Sequence, residues 1–129
     1  MDNNFSAYML ADQTLRAGPG TLDITVRLPW YRSLPLSTVE VAKLRVDGQE
    51  VPANHIGFEI NGHSRPMAAC ADQINEWWYV LDDAIVHAAV PGLENRPEHL
   101  IEITLNLYPP YMPGFTWVTQ TAKHLKVTR

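Results

Sequence analysis

A single cysteine stands among the 129 residues, so no disulfide can form within the chain and the fold must hold by its core alone. Cys70 sits in Met67-Ala-Ala-Cys-Ala-Asp72, with no basic neighbour in sequence to lower its pKa. It reads as a small apolar filler rather than a reactive thiol, and a lone thiol suits a reducing cytoplasm. No apolar run approaches the roughly 20 residues that a bilayer-spanning helix needs. The opening residues, Met1-Asp-Asn-Asn-Phe-Ser6, lack the basic and apolar regions of a secretory signal, so a cytoplasmic location without membrane contact is expected. Positive charge is sparse and scattered. Ten Lys and Arg against fourteen Asp and Glu leave a formal net charge of -4 and a pI near 5.6, which excludes the clustered basic footprint of a nucleic-acid partner. Long helical periodicity is also missing, and strands nowhere alternate with helical crossovers, which excludes a parallel α/β fold.

What is present is strand. The length fits a single domain spanning 1–129, long enough to bury roughly two thirds of its unfolded surface. In Thr21-Leu-Asp-Ile-Thr-Val-Arg-Leu28 the apolar residues occupy every second position, as they do at Ile101, Ile103, Leu105 and Leu107 and again at Ile56, Phe58 and Ile60. Such alternation marks antiparallel sheet with one wet face. Val39 and Val41 share one phase and Leu44 and Val46 the other, which predicts a β-bulge near Ala42-Lys43. Asp47-Gly48 and Asn61-Gly62 are type I′ turn signals. Weaker strands are expected over Ser6 to Leu15, Glu76 to Leu81, Ala84 to Val90 and Val118 to Val127, with Asp82-Asp83 joining the second and third as a hairpin. Met67 to Asn75 suits one short helix. About eight short strands separated by turns predict an all-β protein, an antiparallel β-sandwich of jelly-roll type ranked above a closed barrel.

The search for chemistry returns little. The five histidines, 55, 63, 87, 99 and 124, form no His-x-His or His-x-x-x-His pair, so no metal site is expected. His55 and His63 are the ones to weigh for a stand-alone metalloenzyme, with Glu59 the carboxylate nearest them in sequence. There is no Gly-x-Ser-x-Gly elbow, and Gly18-Pro-Gly20 is a turn rather than a phosphate loop. Asp82-Asp83, Asp23 and Glu102 read as solvated turn or sheet-surface carboxylates. Trp77-Trp78-Tyr79 offers one aromatic platform at most, because neighbours on a strand point to opposite faces. That leaves a free carbohydrate-binding module as the alternative function.

Two segments depart from a plain sandwich. Leu28-Pro-Trp-Tyr-Arg-Ser-Leu-Pro-Leu-Ser37 and Tyr108-Pro-Pro-Tyr-Met-Pro-Gly-Phe-Thr-Trp117 each follow a clean strand and combine prolines with aromatics. Loops are ordinarily polar, so each must cover the core or dock on another chain. Trp, Tyr and Arg are the types most enriched at binding hot spots.

Together with Val46-Asp-Gly-Gln-Glu-Val-Pro52 and Tyr111-Met-Pro113, the first of these loops resembles the pattern of the small β subunit of bacterial C-glycoside deglycosidases, from about residue 20 to the end. Ser33 stands where the family has a small residue after the Arg, and Tyr31 supplies the second aromatic of the loop. The resemblance implies a non-catalytic β-sandwich subunit in a hetero-oligomer with a larger α subunit of the TIM-barrel, sugar-isomerase-like type. That subunit would hold a divalent metal, Mn2+ or Mg2+, none being expected on this chain. The complex would act as a carbon–carbon lyase on 3-oxo-C-glycosides, flavonoid C-glycosides among them. Under that resemblance the residues expected to contact the partner are Trp30, Tyr31, Arg32, Leu36, Tyr111, Met112 and Pro113. Tyr31 and Arg32 are the ones placed nearest substrate, and no catalytic residue is expected on this chain.

Overall fold

The computed structural model describes residues 6–10, 13, 15–90 and 96–128. In chain order it places a helical turn α1 (Ser6–Met9), β1 (Leu15–Gly18), β2 (Thr21–Arg27), β3 (Leu34–Pro35), β4 (Val39–Val46), β5 (Gln49–Glu50), β6 (Ile56–Ile60), β7 (His63–Pro66), β8 (Trp77–Trp78), β9 (Asp83–Ala89), β10 (Glu98–Leu107) and β11 (Trp117–Thr128). Three 3-10 segments, Leu36–Thr38, Ala53–His55 and Met67–Asp72, link them. The chain is mostly β, as expected. Nine strands form one sheet in the order β5-β4-β10-β11-β1-β2-β9-β6-β7, and β3 pairs with β8 in a two-stranded ribbon.

Alternation in sequence becomes alternation in burial. On β2, Leu22, Ile24 and Val26 are inside while Asp23, Thr25 and Arg27 face out, and β10 buries His99, Ile101, Ile103, Leu105 and Leu107. The bulge is where the phase switch demands it. Lys43 pairs with Thr104 and Val41 with Leu105, so Ala42 is the extra residue. Both type I′ turns form, with positive φ at Asp47 and Gly48 and at Asn61 and Gly62.

Other expectations are corrected. The sheet is mixed rather than wholly antiparallel, because β1 runs parallel to β11, Leu15 beside Val127. Parallel neighbours need a long connection, and here almost the whole chain lies between the two. Among the described residues eleven strands stand against the expected eight or so, three of them, β3, β5 and β8, only two residues long. Where an opening strand is expected there is a helical turn at Ser6–Met9, and the first described strand starts at Leu15; residues 11, 12 and 14 lie outside the described part. Met9 and Leu10 are both buried, and consecutive inward side chains do not suit a strand. The short helix expected from Met67 is a 3-10 segment ending at Asp72.

Asp82-Asp83 is not a hairpin. The strand expected over residues 76–81 shrinks to Trp77–Trp78 and pairs with β3, whereas β9 pairs with β2 and β6. Packing explains the change: Trp78 is fully buried, lies edge-on to Phe58 at 5.6 Å, and its indole N–H donates to the Asp82 carbonyl at 2.8 Å.

The sheet also fixes where the two unusual loops emerge. Leu107, at the end of β10, pairs with Val39 on one side and Trp117 on the other, and the Tyr108 N–H donates to the Thr38 carbonyl at 2.9 Å. Residues 28–38 and 108–116 therefore meet at one end of the sheet.

Candidate partner-binding face

The two loops are joined by their aromatic side chains. The Trp30 indole N–H donates to the Tyr111 hydroxyl at 2.6 Å across 81 residues of sequence. Trp30 also meets Tyr31 at 4.9 Å, Phe115 at 6.4 Å and Trp117, edge-on, at 5.2 Å between ring centroids. The Arg32 guanidinium lies 5.0 Å above the Tyr111 ring, a cation–π distance. A turn with Gly114 at positive φ and the bonds Met112 N–H to Pro109 carbonyl and Phe115 N–H to Met112 carbonyl, each 3.0 Å, shape the second loop.

Burial sorts the expected contact residues into two groups. Trp30 is almost wholly inside, and Leu36 is completely buried in this chain's own core, so Leu36 leaves the set of surface residues. Tyr31 is 58% exposed and Tyr111 44%, with Met112, Arg32 and Pro113 also at the surface. Lid and surface are thus one construction, with Trp30 as the buried post and Tyr31, Arg32, Tyr111 and Met112 as the outer layer. Desolvation raises the pKa of the Tyr111 phenol, the neighbouring Tyr31 raises it further, and the Trp30 N–H and Arg32 pull against both.

The motif at residues 46–52 has a structural task. Asp47 accepts from the Leu100 N–H at 2.9 Å and shares a 2.6 Å hydrogen bond with His99, whose ring is buried, while Arg96 stands 3.5 Å away. Burial pushes the Asp47 carboxyl up, but the bonds from His99 and Leu100 together with the charge of Arg96 outweigh it, and its pKa lies below the usual value.

A polar cluster escaped the reading of the sequence. His87 on β9 bonds Asp23 on β2 through Nδ1 at 2.6 Å and Glu59 on β6 through Nε2 at 3.0 Å. Each residue lies on the outward phase of its strand, so only the strand order β2-β9-β6 makes them neighbours. Gly57 pairs directly with His87 across β6 and β9. Burial lowers the His87 pKa, the two carboxylates raise it by more, and the net direction is up. Asp23 is therefore an ion-pair partner rather than plain sheet surface. His63 meets Glu76 at 3.2 Å rather than Glu59.

Among the described residues no group of three or more His, Cys, Asp or Glu is placed to hold a metal ion. Cys70 is fully buried, and desolvation raises its thiol to about 11 despite the nearby Arg65. No described helix is long and apolar enough to cross a membrane.

The described architecture is a mostly β chain whose two proline–aromatic loops are joined by the Trp30–Tyr111 bond. Comparison with known proteins gives it a family. The profile of the C-glycoside deglycosidase beta subunit matches residues 17–111. A C-glycoside deglycosidase beta subunit of Microbacterium trichothecenolyticum is 36% identical over 99 residues, covering 77% of this chain and 75% of that protein. One from Arthrobacter globiformis is 32% identical over 109 residues, covering 81% and 83%. A 3'-dehydrocarminate deglycosidase beta subunit of a Microbacterium species is 33% identical over 110 residues, covering 84% and 82%. The chain belongs to the C-glycoside deglycosidase beta subunit family.

Proposed function

We propose that this chain is the non-catalytic subunit of a cytoplasmic, heteromeric C-glycoside deglycosidase and docks on a larger α subunit through the face built by Tyr31, Arg32, Tyr111, Met112 and Pro113. The observation that carries this reading is the 2.6 Å bond from Trp30 to Tyr111. It locks two distant loops into one rigid surface, and a rigid aromatic surface loses little conformational entropy on docking. The reaction we propose for that complex is cleavage of the carbon–carbon bond between a 3-oxo sugar and its aglycone, a reading that the family's name supports only as far as C-glycoside deglycosidase. The keto group acidifies the neighbouring C2–H and a base removes that proton; the C1=C2 double bond then forms as the C1–aglycone bond breaks, and the departing aglycone carbon takes the bonding pair and a proton. The α subunit, of TIM-barrel and sugar-isomerase type, would hold the base, and its Mn2+ or Mg2+ would stabilise the enolate charge. This chain's part is to wall and order that site, with Tyr31 and Arg32 the side chains best placed to approach the substrate.

We also read the nine-stranded sheet as the two layers of a jelly-roll-like sandwich hinged at the β1–β11 pair. Buried residues of β2, β6 and β9 and of β4 and β10 belong to one continuous core. A flat sheet would leave the two sets far apart.

The test is co-expression with a sugar-isomerase-like protein of the kind proposed as the α subunit. A stable mixed complex that cleaves a 3-oxo-C-glycoside only when both chains are present bears the reading out. A monomer that ignores the second protein refutes it. Binding of glycosides by the isolated chain would point instead to a carbohydrate-binding module, with Trp77 as its half-exposed platform.

A further inference from the structure

A second apolar surface adjoins the aromatic face. In the stretch from 74 to 81, Ile74 is 68% exposed, Tyr79 55% and Leu81 87%, with Trp77 half-exposed. Scattered apolar residues are ordinary on a surface, but four within eight positions are not. The segment is also held firmly. Trp78 anchors it in the core, the Val80 N–H donates to Ser33 Oγ at 2.8 Å, the Leu36 N–H donates to the Glu76 carbonyl at 2.7 Å, and Asn61 donates to the Trp77 carbonyl at 2.9 Å. Glu76 is turned into a clasp with Arg65 at 2.6 Å and His63 at 3.2 Å.

Two further features indicate what covers this surface. The first is continuity. The β3–β8 ribbon pairs Leu34 with Trp78 and Pro35 with Trp77, so the segment is hydrogen-bonded to the loop that carries Tyr31 and Arg32. The second is charge. From residue 66 to 90 the chain has no Lys or Arg and four carboxylates, Asp72, Glu76, Asp82 and Asp83. With Glu76 neutralised in its clasp, Asp72, Asp82 and Asp83 are left exposed, and none of the ion pairs among the described residues uses them.

We infer that residues 74–81, rimmed by Asp72, Asp82 and Asp83, form a second docking surface that continues the aromatic face and seats on an apolar patch of the α subunit bordered by Lys and Arg. The inference rests on the reading of this chain as a subunit of a two-component enzyme. Apolar anchors at the centre supply affinity, and the acidic rim selects the partner and speeds the encounter. A second copy of this chain is the poorer occupant, since two acidic rims would face each other across the contact.

The test uses the complete chain with its co-expressed α subunit. Leu81→Asp and Tyr79→Asp replace exposed side chains, so each variant should keep the parent's urea midpoint. Each is expected to weaken association with the α subunit by about tenfold or more. Asp72→Lys with Asp82→Lys should slow association and flatten its dependence on salt. Variants that keep the parent's midpoint and associate as the parent does overturn the inference while leaving the subunit reading intact. A parent chain that ignores the α subunit overturns both. A parent that is dimeric alone and becomes monomeric on Leu81→Asp overturns the inference in favour of self-association.

Discussion

The Trp30–Tyr111 bond is the joint of the proposed face, and a double-mutant cycle measures it. Tyr111→Phe removes the hydroxyl that accepts from the Trp30 N–H at 2.6 Å and leaves the ring under Arg32. Trp30→Phe removes the donor and part of the packing against Phe115 and Trp117. A hydrogen bond of this kind contributes about 0.5–1.5 kcal/mol net, so the coupling between the two substitutions should be about 1 kcal/mol. With a urea slope of about 1–3 kcal/mol per molar, a 1 kcal/mol loss moves the midpoint by roughly 0.3–1 M, well within reach of a circular-dichroism titration. Trp30→Phe should cost more than Tyr111→Phe, because Trp30 is nearly buried and Tyr111 is half-exposed. Trp30→Ala should cost about 3–5 kcal/mol, a large part of the roughly 5–15 kcal/mol that holds such a domain. A coupling indistinguishable from zero would mean that the two loops stand independently, and the argument for a preorganised face would go with it.

Three further outcomes follow from the polar contacts. The His87 pKa is raised, so its ion pairs contribute stability that is complete below the unfolded value near 6.5 and is lost as pH rises through the folded value. NMR titration of Asp23→Asn should show the His87 pKa moving down, and no movement would remove Asp23 as its partner. Asp47 shows the opposite sign: its pKa is lowered, so its stability contribution is present above the unfolded value near 3.9 and is lost as pH falls through the folded one. Asp47→Ala should therefore destabilise by about 1–3 kcal/mol at pH 7 and by clearly less in acid, as urea midpoints at both pH values would show. Cys70 should resist a thiol-specific reagent at pH 8 in the native chain and react promptly in urea, since it is fully buried with a thiol pKa of about 11. Rapid native labelling would contradict its place in the core.

Local pattern alone settled much of this protein. Period-two alternation determined the inward set on β2, β6 and β10, because one residue of register decides the face of every side chain. The phase switch between Val41 and Leu44 located the bulge, and Asp-Gly and Asn-Gly located the turns, each through a conformation that only those residues adopt cheaply. The composition of the two proline–aromatic loops marked them as the parts with another purpose. Strand order was not legible, because long-range pairing, as of Leu107 with Val39 and of Val26 with Ala84, depends on which surfaces bury each other rather than on any local signal. For that reason the sequence could not show that Trp30 and Tyr111 touch, that Leu36 belongs to the core, that Trp78 cuts its strand short, or that Asp23, His87 and Glu59 become neighbours across β2, β9 and β6. Those are consequences of tertiary packing, which brings together side chains whose separations along the chain carry no information about their separations in space.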